Sequence, residues 1–141
     1  MTFKIILGSL FAVFLTQVIK LIIDARQHKF SWHDLNRYGG MPSSHTAFVV
    51  TLAILTGYYE YWNSAAFAIA TVLAILTIRD AAGFRRNLGK HAEELNKLIS
   101  EIKPEKSYEF ERLSERLGHT PLQVFVGAMI GIVVAVLVIL I

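Results

Sequence analysis

Four runs of apolar residues, separated by short polar segments, form the main pattern of this chain. They cover residues 2–23, 45–61, 64–78 and 122–141. A membrane-spanning helix needs roughly 20 apolar residues and is workable at roughly 17. The third run is only 15 residues long, so we expect it to borrow flanking residues to reach both interfaces. The pattern predicts an all-α fold, a single membrane domain built as a polytopic helical bundle of about four transmembrane helices.

The polar stretch between the third and fourth runs, residues 87–117, is the one sizeable water-soluble part. Apolar residues recur at helical spacing at positions 92, 95, 98, 99 and 102, and Pro104 interrupts them. Residues 108–117 have the spacing of a second short amphipathic helix. We therefore predict a helical hairpin that caps the bundle, with a gating lid as the weaker alternative.

Composition and charge support this architecture. Hydrophobic residues make up 54% of the chain and charged residues 18%, and there is no cysteine. Thirteen of the 14 lysines and arginines fall on one side of a four-span topology, and only Lys4 falls on the other. The positive-inside rule makes the basic side cytoplasmic and predicts both termini outside. No nucleic-acid-binding module is recognisable, and the basic balance needs no nucleic acid to explain it.

Three polar motifs fall at the cytoplasmic interface of this topology, at residues 39–45, 79–87 and 117–121. In the first, Gly40 lets the backbone approach a ligand closely, and Ser43 or Ser44 can cap the helix that follows. The free N–H groups at that helix start suit a phosphate, and His45 adds a proton donor or acceptor. The alternative is a serine-capped helix with no ligand.

The other two motifs supply charge and a second imidazole. Arg85 and Arg86 provide planar cationic groups that match phosphate oxygens, although interfacial arginines also anchor helices to lipid headgroups. Asp80 either orients a histidine or pairs with an arginine. His119 either takes part in chemistry or is an interfacial side chain before a helix that starts at Pro121.

Polar and small residues within the apolar runs give two further predictions. Lys20 lies near the cytoplasmic end of the first run, facing the bundle interior or paired with Asp24. Gly127 and Gly131 form a small-residue pattern that permits close helix packing, either within one chain or across a homodimer. No cysteine, histidine or paired-acid spacing predicts a metal site.

The three motifs, Gly-Gly-Met-Pro-Ser-Ser-His, Asp-Ala-x-Gly-x-Arg-Arg and Leu-Gly-His-Thr-Pro, resemble a small bacterial and plant membrane family. That family is related to type-2 phosphatidic acid phosphatases and vanadium-dependent haloperoxidases. The resemblance covers residues 17–131. It implies an integral protein of a bacterial plasma membrane with its active site facing the cytoplasm.

The resemblance also implies residue roles. His45 would be the general acid that protonates the leaving oxygen, and His119 the nucleophile that attacks phosphorus. Gln123 stands where the wider superfamily has an aspartate and is expected to help bind the substrate, and Asp80 would supply the carboxylate. Arg85 and Arg86 would form the clamp on the phosphate. Lys20 is a candidate for a further charge of the superfamily pattern, which has Lys-x6-Arg-Pro where this chain has no such motif.

Two function classes follow from these observations. The first is a phosphatidic acid phosphatase-like phosphoric monoester hydrolase acting on a phospholipid or polyprenyl phosphate at the cytoplasmic leaflet, without a cofactor, although magnesium is left open. The second is a non-catalytic binder of phosphate or lipid headgroups, such as a transporter or scaffold subunit. The aspartate replaced by Gln123 and the missing first superfamily motif favour the second class.

Overall fold

The structure, a computed structural model, describes residues 1–27, 41–101, 113–115 and 117–141. All regular elements in these ranges are helical. They are α1 (Thr2–Gln27), α2 (Ser44–Tyr59), α3 (Ala65–Arg79), a π-helical turn (Asp80–Phe84), α4 (Arg85–Glu101) and α5 (Pro121–Leu140). The all-α helical bundle expected from the apolar runs is thus confirmed for the described part of the chain, while Gly40 lies outside the described residues.

Helix α2 occupies the centre of the bundle and packs against α1, α3 and α5. Near its end, Leu55 is fully buried in a cluster with Ile5 of α1 and Ala135 of α5. Nearer its start, Ala47 is buried with Ala12. These pairs show that α1 runs antiparallel to α2. Helix α5 runs parallel to α2, because Gly127 lies beside Ser43 and the Val138 carbonyl lies beside Tyr59. Both chain termini therefore lie at one end of the bundle, and the polar motifs lie at the other, which we call the motif end.

The seam between α2 and α5 is built on glycines. A Cβ at Gly127 would stand 2.4 Å from the Ser43 carbonyl oxygen, and one at Gly131 would stand 2.7 Å from the Ala47 carbonyl oxygen. Thr51 Oγ1 donates a hydrogen bond of 2.9 Å to the Gly131 carbonyl across the same seam. The small-residue pattern thus packs inside one chain. The homodimer predicted through the Gly127 and Gly131 face stays a prediction.

Helix α3 is attached differently. Ser64 caps its start by accepting a 3.1 Å hydrogen bond from the backbone N–H of Phe67. The Phe67 ring meets Trp62 edge-on at a centroid distance of 5.0 Å, and both rings press on Gly57 of α2. Along the rest of α3 the buried positions are alanines, Ala70 and Ala74. Small side chains let the helix lie close to α2 while its large apolar residues point outward.

In the part of the chain that the structure describes, three helices are long and apolar enough to cross a membrane: Thr2–Arg26, Ala65–Glu101 and Pro121–Leu140. Their outward side chains are large and apolar, including Phe14, Ile69 and Phe125, each more than 60% exposed. Helix α2 has 16 residues, which span about 24 Å at 1.5 Å per residue and fall short of a full bilayer. Its crossing as a fourth span stays a prediction.

The helix that contains the third apolar run continues beyond the last apolar residue of that run, Ile78. The helix passes through the π-helical turn into α4, giving 37 consecutive helical residues from Ala65 to Glu101. The change from apolar to polar residues at Arg79 coincides with the π-helical turn but does not end the helix. Within this run, Ala65–Phe84 covers about 30 Å, the thickness of a bilayer core.

The predicted hairpin is only partly what the structure shows. Its first helix is α4, but residues 113–115 and 117, assigned to a second helix, are not helical. They lie along α4, where Asn96 Nδ2 donates to the Leu113 carbonyl oxygen at 2.9 Å and Asn96 Oδ1 accepts from the Leu113 N–H at 3.1 Å. The remainder of residues 102–112 lies outside the described residues. We call residues 113–115 and 117–119 the strap.

Candidate functional site

The first motif is fixed by a buried serine. Ser43 is fully buried, and its hydroxyl oxygen caps α2 by accepting from the Thr46 N–H at 3.4 Å. The same oxygen lies 2.9 Å from Thr46 Oγ1. The Ser43 backbone N–H donates to the Gln123 carbonyl oxygen at 3.2 Å, which joins the start of α2 to the first turn of α5. Of the two serines considered, Ser43 is therefore the cap.

The third motif is fixed by a capping box at the start of α5. Thr120 Oγ1 accepts from the Gln123 N–H at 3.3 Å, and Gln123 Oε1 accepts from the Thr120 N–H at 2.9 Å. Pro121 occupies the first helical turn, as expected. Gln123 therefore stabilises the start of α5 with its side-chain oxygen, and its backbone carbonyl oxygen accepts the Ser43 N–H. The role of Gln123 in substrate binding stays a prediction.

The second motif forms the π-helical turn. The Arg85 N–H donates to the Asp80 carbonyl oxygen, five residues back, instead of four residues back to Ala81. The Ala81 carbonyl oxygen accepts the backbone N–H of His119 at 3.0 Å. Such turns within α-helices are frequent at functional sites because they change the direction of backbone groups. Here the turn connects the second motif to the third.

Asp80 pairs with an arginine, which answers the choice that the sequence left open. Arg85 Nε donates to Asp80 Oδ2 at 2.6 Å, and the two side chains are 48% and 40% exposed. The pair is charge-assisted but lies in a partly wet place. One arginine of the predicted clamp is thus neutralised in part by the predicted catalytic carboxylate.

The two histidines flank the junction of the three motifs. His45 is exposed on the first turn of α2, two residues after Ser43. His119 is half-buried, and its backbone is tied to Ala81. Ser44 is half-buried at the first position of α2, and Arg86 is exposed at the start of α4.

Lys20 is half-buried on α1, in the part of that helix that runs toward the motif end. Among the described residues, no cluster of three or more histidine, aspartate or glutamate side chains is arranged to hold a metal ion.

Gly118 sets how closely the third motif approaches the second. Its φ is +85°, a left-handed conformation that favours glycine. A Cβ there would lie 2.3 Å from the Arg86 backbone nitrogen and 2.7 Å from the Arg85 carbonyl carbon. The backbone just before His119 thus touches the backbone of both arginines.

Sequence reasoning missed three contributors to this site. Thr120 and Gln123 match the Thr-x-x-Gln form of a capping box, a signal that was present in the sequence. Asn96 carried no such signal, because an asparagine in a polar helix is ordinary until its partner 17 residues away is known. The Ala81 carbonyl was equally hidden, since a backbone acceptor appears only with the π-helical turn.

Comparisons with known proteins agree with this architecture. The chain is 34% identical over 139 residues to a protein of Bacillus subtilis (strain 168) named "Uncharacterized membrane protein YuiD", covering 90% of this chain and 88% of that protein. No solved structure matches. With its apolar helices, this relative makes the chain an integral membrane protein. The sequence profile of the Divergent PAP2 family matches residues 1–134, so the chain belongs to that family.

Proposed function

We propose that this protein is a membrane-embedded phosphatase that removes phosphate from a lipid monoester or diphosphate at the cytoplasmic leaflet. The observation that carries the proposal is the convergence of three polar motifs at one end of the bundle. Two backbone hydrogen bonds make that junction, Ser43 N–H to the Gln123 carbonyl and His119 N–H to the Ala81 carbonyl. Membership of a family whose name refers to phosphatidic acid phosphatases supports the same chemistry.

The proposed chemistry divides the work between two imidazoles. A neutral His119 attacks phosphorus, and the bond between phosphorus and the lipid oxygen breaks. A protonated His45 gives its proton to the departing alkoxide. Water then attacks the phosphohistidine, with His45 accepting a proton from it, and phosphate leaves. Arg86 and the N–H groups at the start of α2 would stabilise negative charge on the phosphoryl oxygens.

The charge of the described residues supports the cytoplasmic placement. Arg79, Arg85, Arg86 and Lys90 all lie at or beyond the motif end, while Lys4 lies at the end with the termini. A bundle with basic residues concentrated at one end usually places that end in the cytoplasm. A site at the motif end would then meet phosphates of lipids in the inner leaflet.

Phosphate release by purified protein tests the proposal. The panel comprises phosphatidic acid, phosphatidylglycerol phosphate and a polyprenyl diphosphate, each with chelator and with magnesium. We expect turnover of one of these lipids, with a bell-shaped pH dependence, and its loss by at least about 100-fold in His119→Ala and His45→Ala. The matched control is His91→Ala, because His91 is exposed on α4.

A trapping experiment separates the two roles. With a ³²P-labelled substrate, His45→Ala should still accumulate a labelled, acid-labile phosphohistidine if the substrate has a good leaving group. His119→Ala should accumulate none. Label in His119→Ala, or full activity of either variant, would exclude the proposed division of labour.

A second candidate function, binding of a phosphate or lipid headgroup without turnover, is favoured by two contacts. Asp80 is paired with Arg85, and the side-chain oxygen of Gln123 is held in the capping box. Both groups that the resemblance connects with His119, Asp80 and Gln123, thus have structural contacts of their own. This function predicts saturable binding of short-chain phosphatidic acid, no phosphate release from any lipid in the panel, and unchanged binding by His119→Asn.

A further inference from the structure

The strap follows α4 back toward the membrane in a regular order of contacts. Leu113 is bonded through its backbone to Asn96, and Asn96 Nδ2 also donates to Glu115 Oε1 at 2.8 Å. A Cβ at Gly89 would stand 2.8 Å from the carbonyl oxygens of both Glu115 and Leu117. Gly118 and His119 then reach the Arg86 backbone and the π-helical turn. The strap therefore runs antiparallel to α4: as residue numbers rise along the strap, the helix residues that it contacts fall from Asn96 to Ala81.

The helix surface beneath the strap is a single stripe. Arg85, Gly89, Ala92 and Asn96 are spaced by four, three and four residues, which places them on one face of a helix. Gly89 and Ala92 are the buried residues of α4. Small side chains in the middle of the stripe let the strap lie directly on the helix backbone.

The length of the strap fits its track. Residues 113 to 119 reach about 20 Å when extended, at roughly 3.3 Å per residue. The helix from Ala81 to Asn96 covers about 22 Å. A strap held at both ends therefore has little slack, and the position of its membrane-side end depends on its distal end.

That membrane-side end carries His119, the proposed nucleophile, and it touches the backbone of Arg85 and Arg86 through Gly118. The Ala81 carbonyl supplies the last contact, because the π-helical turn leaves the Arg85 N–H bonded to Asp80 instead. A small shift of the strap would change the distance between the imidazole and the arginines without removing any of these side chains.

We propose that Asn96 and Gly118 are positioning residues, which dock the strap on α4 and thereby set the place of His119 relative to Arg85 and Arg86. The proposal rests on the proposed function for its kinetic consequence, but the docking is testable without turnover. Gly118 is the contact point beside the site. Asn96 is the remote anchor, at the cytoplasmic end of the track.

Steady-state kinetics give the first test. Asn96→Ala should lower kcat about 10-fold and change KM by less than about twofold, because a misplaced nucleophile affects the transition state more than substrate binding. Asn63→Ala, an exposed asparagine in the turn at the opposite end of the bundle, is the control and should be unchanged. Gly118→Ala should lose more activity, but its backbone clash also threatens folding, so the argument depends on Asn96.

Reversible rescue distinguishes positioning from a general loss of stability. The chain has no cysteine, so a single introduced pair is unambiguous. Asn96→Cys with Leu113→Cys should be impaired when reduced and should recover most of its kcat once joined by a short, reducible bis-thiosulfonate cross-linker. Reducing agent should reverse the recovery. Equal kcat in the joined and reduced forms would overturn the proposal.

A measurement without substrate separates this proposal from the proposed function. The ring signals of ¹⁵N-labelled histidine, with His119 assigned by its loss in His119→Gln, should shift on reduction of the cross-linked protein, whereas His91 should not move. If the His119 signal shifts but no phosphate is released, the phosphatase proposal is rejected and the positioning role of the strap is retained. If the His119 signal does not move and Asn96→Ala has a normal kcat, the positioning role is rejected and the phosphatase proposal is retained.

Discussion

Helices α5 and α3 both pack on α2, but they are held in opposite ways. Along α5, Gly127 and Gly131 bring the backbone of α5 against the backbone of α2, and Thr51 of α2 donates a hydrogen bond to the Gly131 carbonyl. Helix α3 meets α2 through alanines and is secured at its ends, by the Trp62–Phe67 pair at one and by the strap at the other. The seam between α2 and α5 is therefore continuous and does not tolerate added side-chain atoms, whereas the position of α3 depends on the contacts at its two ends.

The largest effect is expected from Gly127→Ala. The new methyl group would meet the Ser43 carbonyl oxygen, which cannot move without displacing the buried cap of α2. We expect a loss of about 3 kcal/mol in the free energy of unfolding, at the upper end for overpacking, measured by denaturation in mixed micelles. Gly83→Ala is the control, since a Cβ there meets nothing within 4 Å. Equal stability of the two variants would show that the seam is not rigid.

Gly57→Ala makes the same chemical change against a side chain instead of a backbone. Its Cβ would lie 2.5 Å from the Trp62 ring, which is 59% exposed and can turn away. The cost should be about 1 kcal/mol, mostly from disturbing the edge-on pair with Phe67. Adding Trp62→Ala should make Gly57→Ala nearly neutral. A loss as large as that of Gly127→Ala would contradict the contrast between the two helices.

Two threonines with buried hydroxyl oxygens, Thr51 and Thr71, provide a smaller, matched comparison. Thr51→Val removes the hydrogen bond to the Gly131 carbonyl and should cost about 0.6 kcal/mol, the average for such bonds between membrane helices. Thr71 Oγ1 on α3 is buried and finds no hydrogen-bond partner within the described part of the chain. Thr71→Val should therefore be neutral or stabilising. If the same denaturation assay showed a larger loss of stability for Thr71→Val than for Thr51→Val, these roles of the two hydroxyl groups would be wrong.

The smallest effect is expected at the membrane edge of the long helix. The Asp80–Arg85 pair is nearly half exposed, so a double-mutant cycle with Asp80→Asn and Arg85→Gln should give a coupling below about 0.5 kcal/mol. Raising the salt concentration should reduce it further. A larger, salt-insensitive coupling would mean that this pair stabilises the π-helical turn more strongly than an exposed ion pair does.

The sequence predicted some parts of this molecule well because their signals are local. A run of 20 apolar residues after a Thr-Pro start predicts α5, and Ser43 before an apolar run predicts the start of α2. The meeting of the three motifs at one end follows from topology, since alternate loops of a bundle share a side. None of these inferences needs a contact between residues that are distant in sequence.

The failures have an equally physical origin. The apolar pattern ends near Arg79, but helix hydrogen bonding does not depend on polarity, and no proline interrupts the chain between Arg79 and Pro104. Residues 113–115 carry a helical spacing, yet Asn96 offers the Leu113 backbone both a donor and an acceptor. A tertiary contact thus replaced the local preference. The contacts of Asp80 and Gln123 are local by comparison: the capping box had a signal in the sequence that was missed, and the pairing of Asp80 with an arginine was one of two alternatives that the sequence left open.

The uninterrupted helix from Ala65 to Glu101 has a mechanical consequence. A rod of 37 residues is about 55 Å long, so a change in tilt of 10° at one end moves the other by about 10 Å. Helices tilt to match the thickness of the bilayer around them. The strap lies on this rod from Asn96 to Ala81, and two residues after its end the chain enters a different helix at Pro121. Tilt of the rod against α5 therefore puts tension on the short link after His119, and the kinetics of variants should be compared in bilayers of the same thickness.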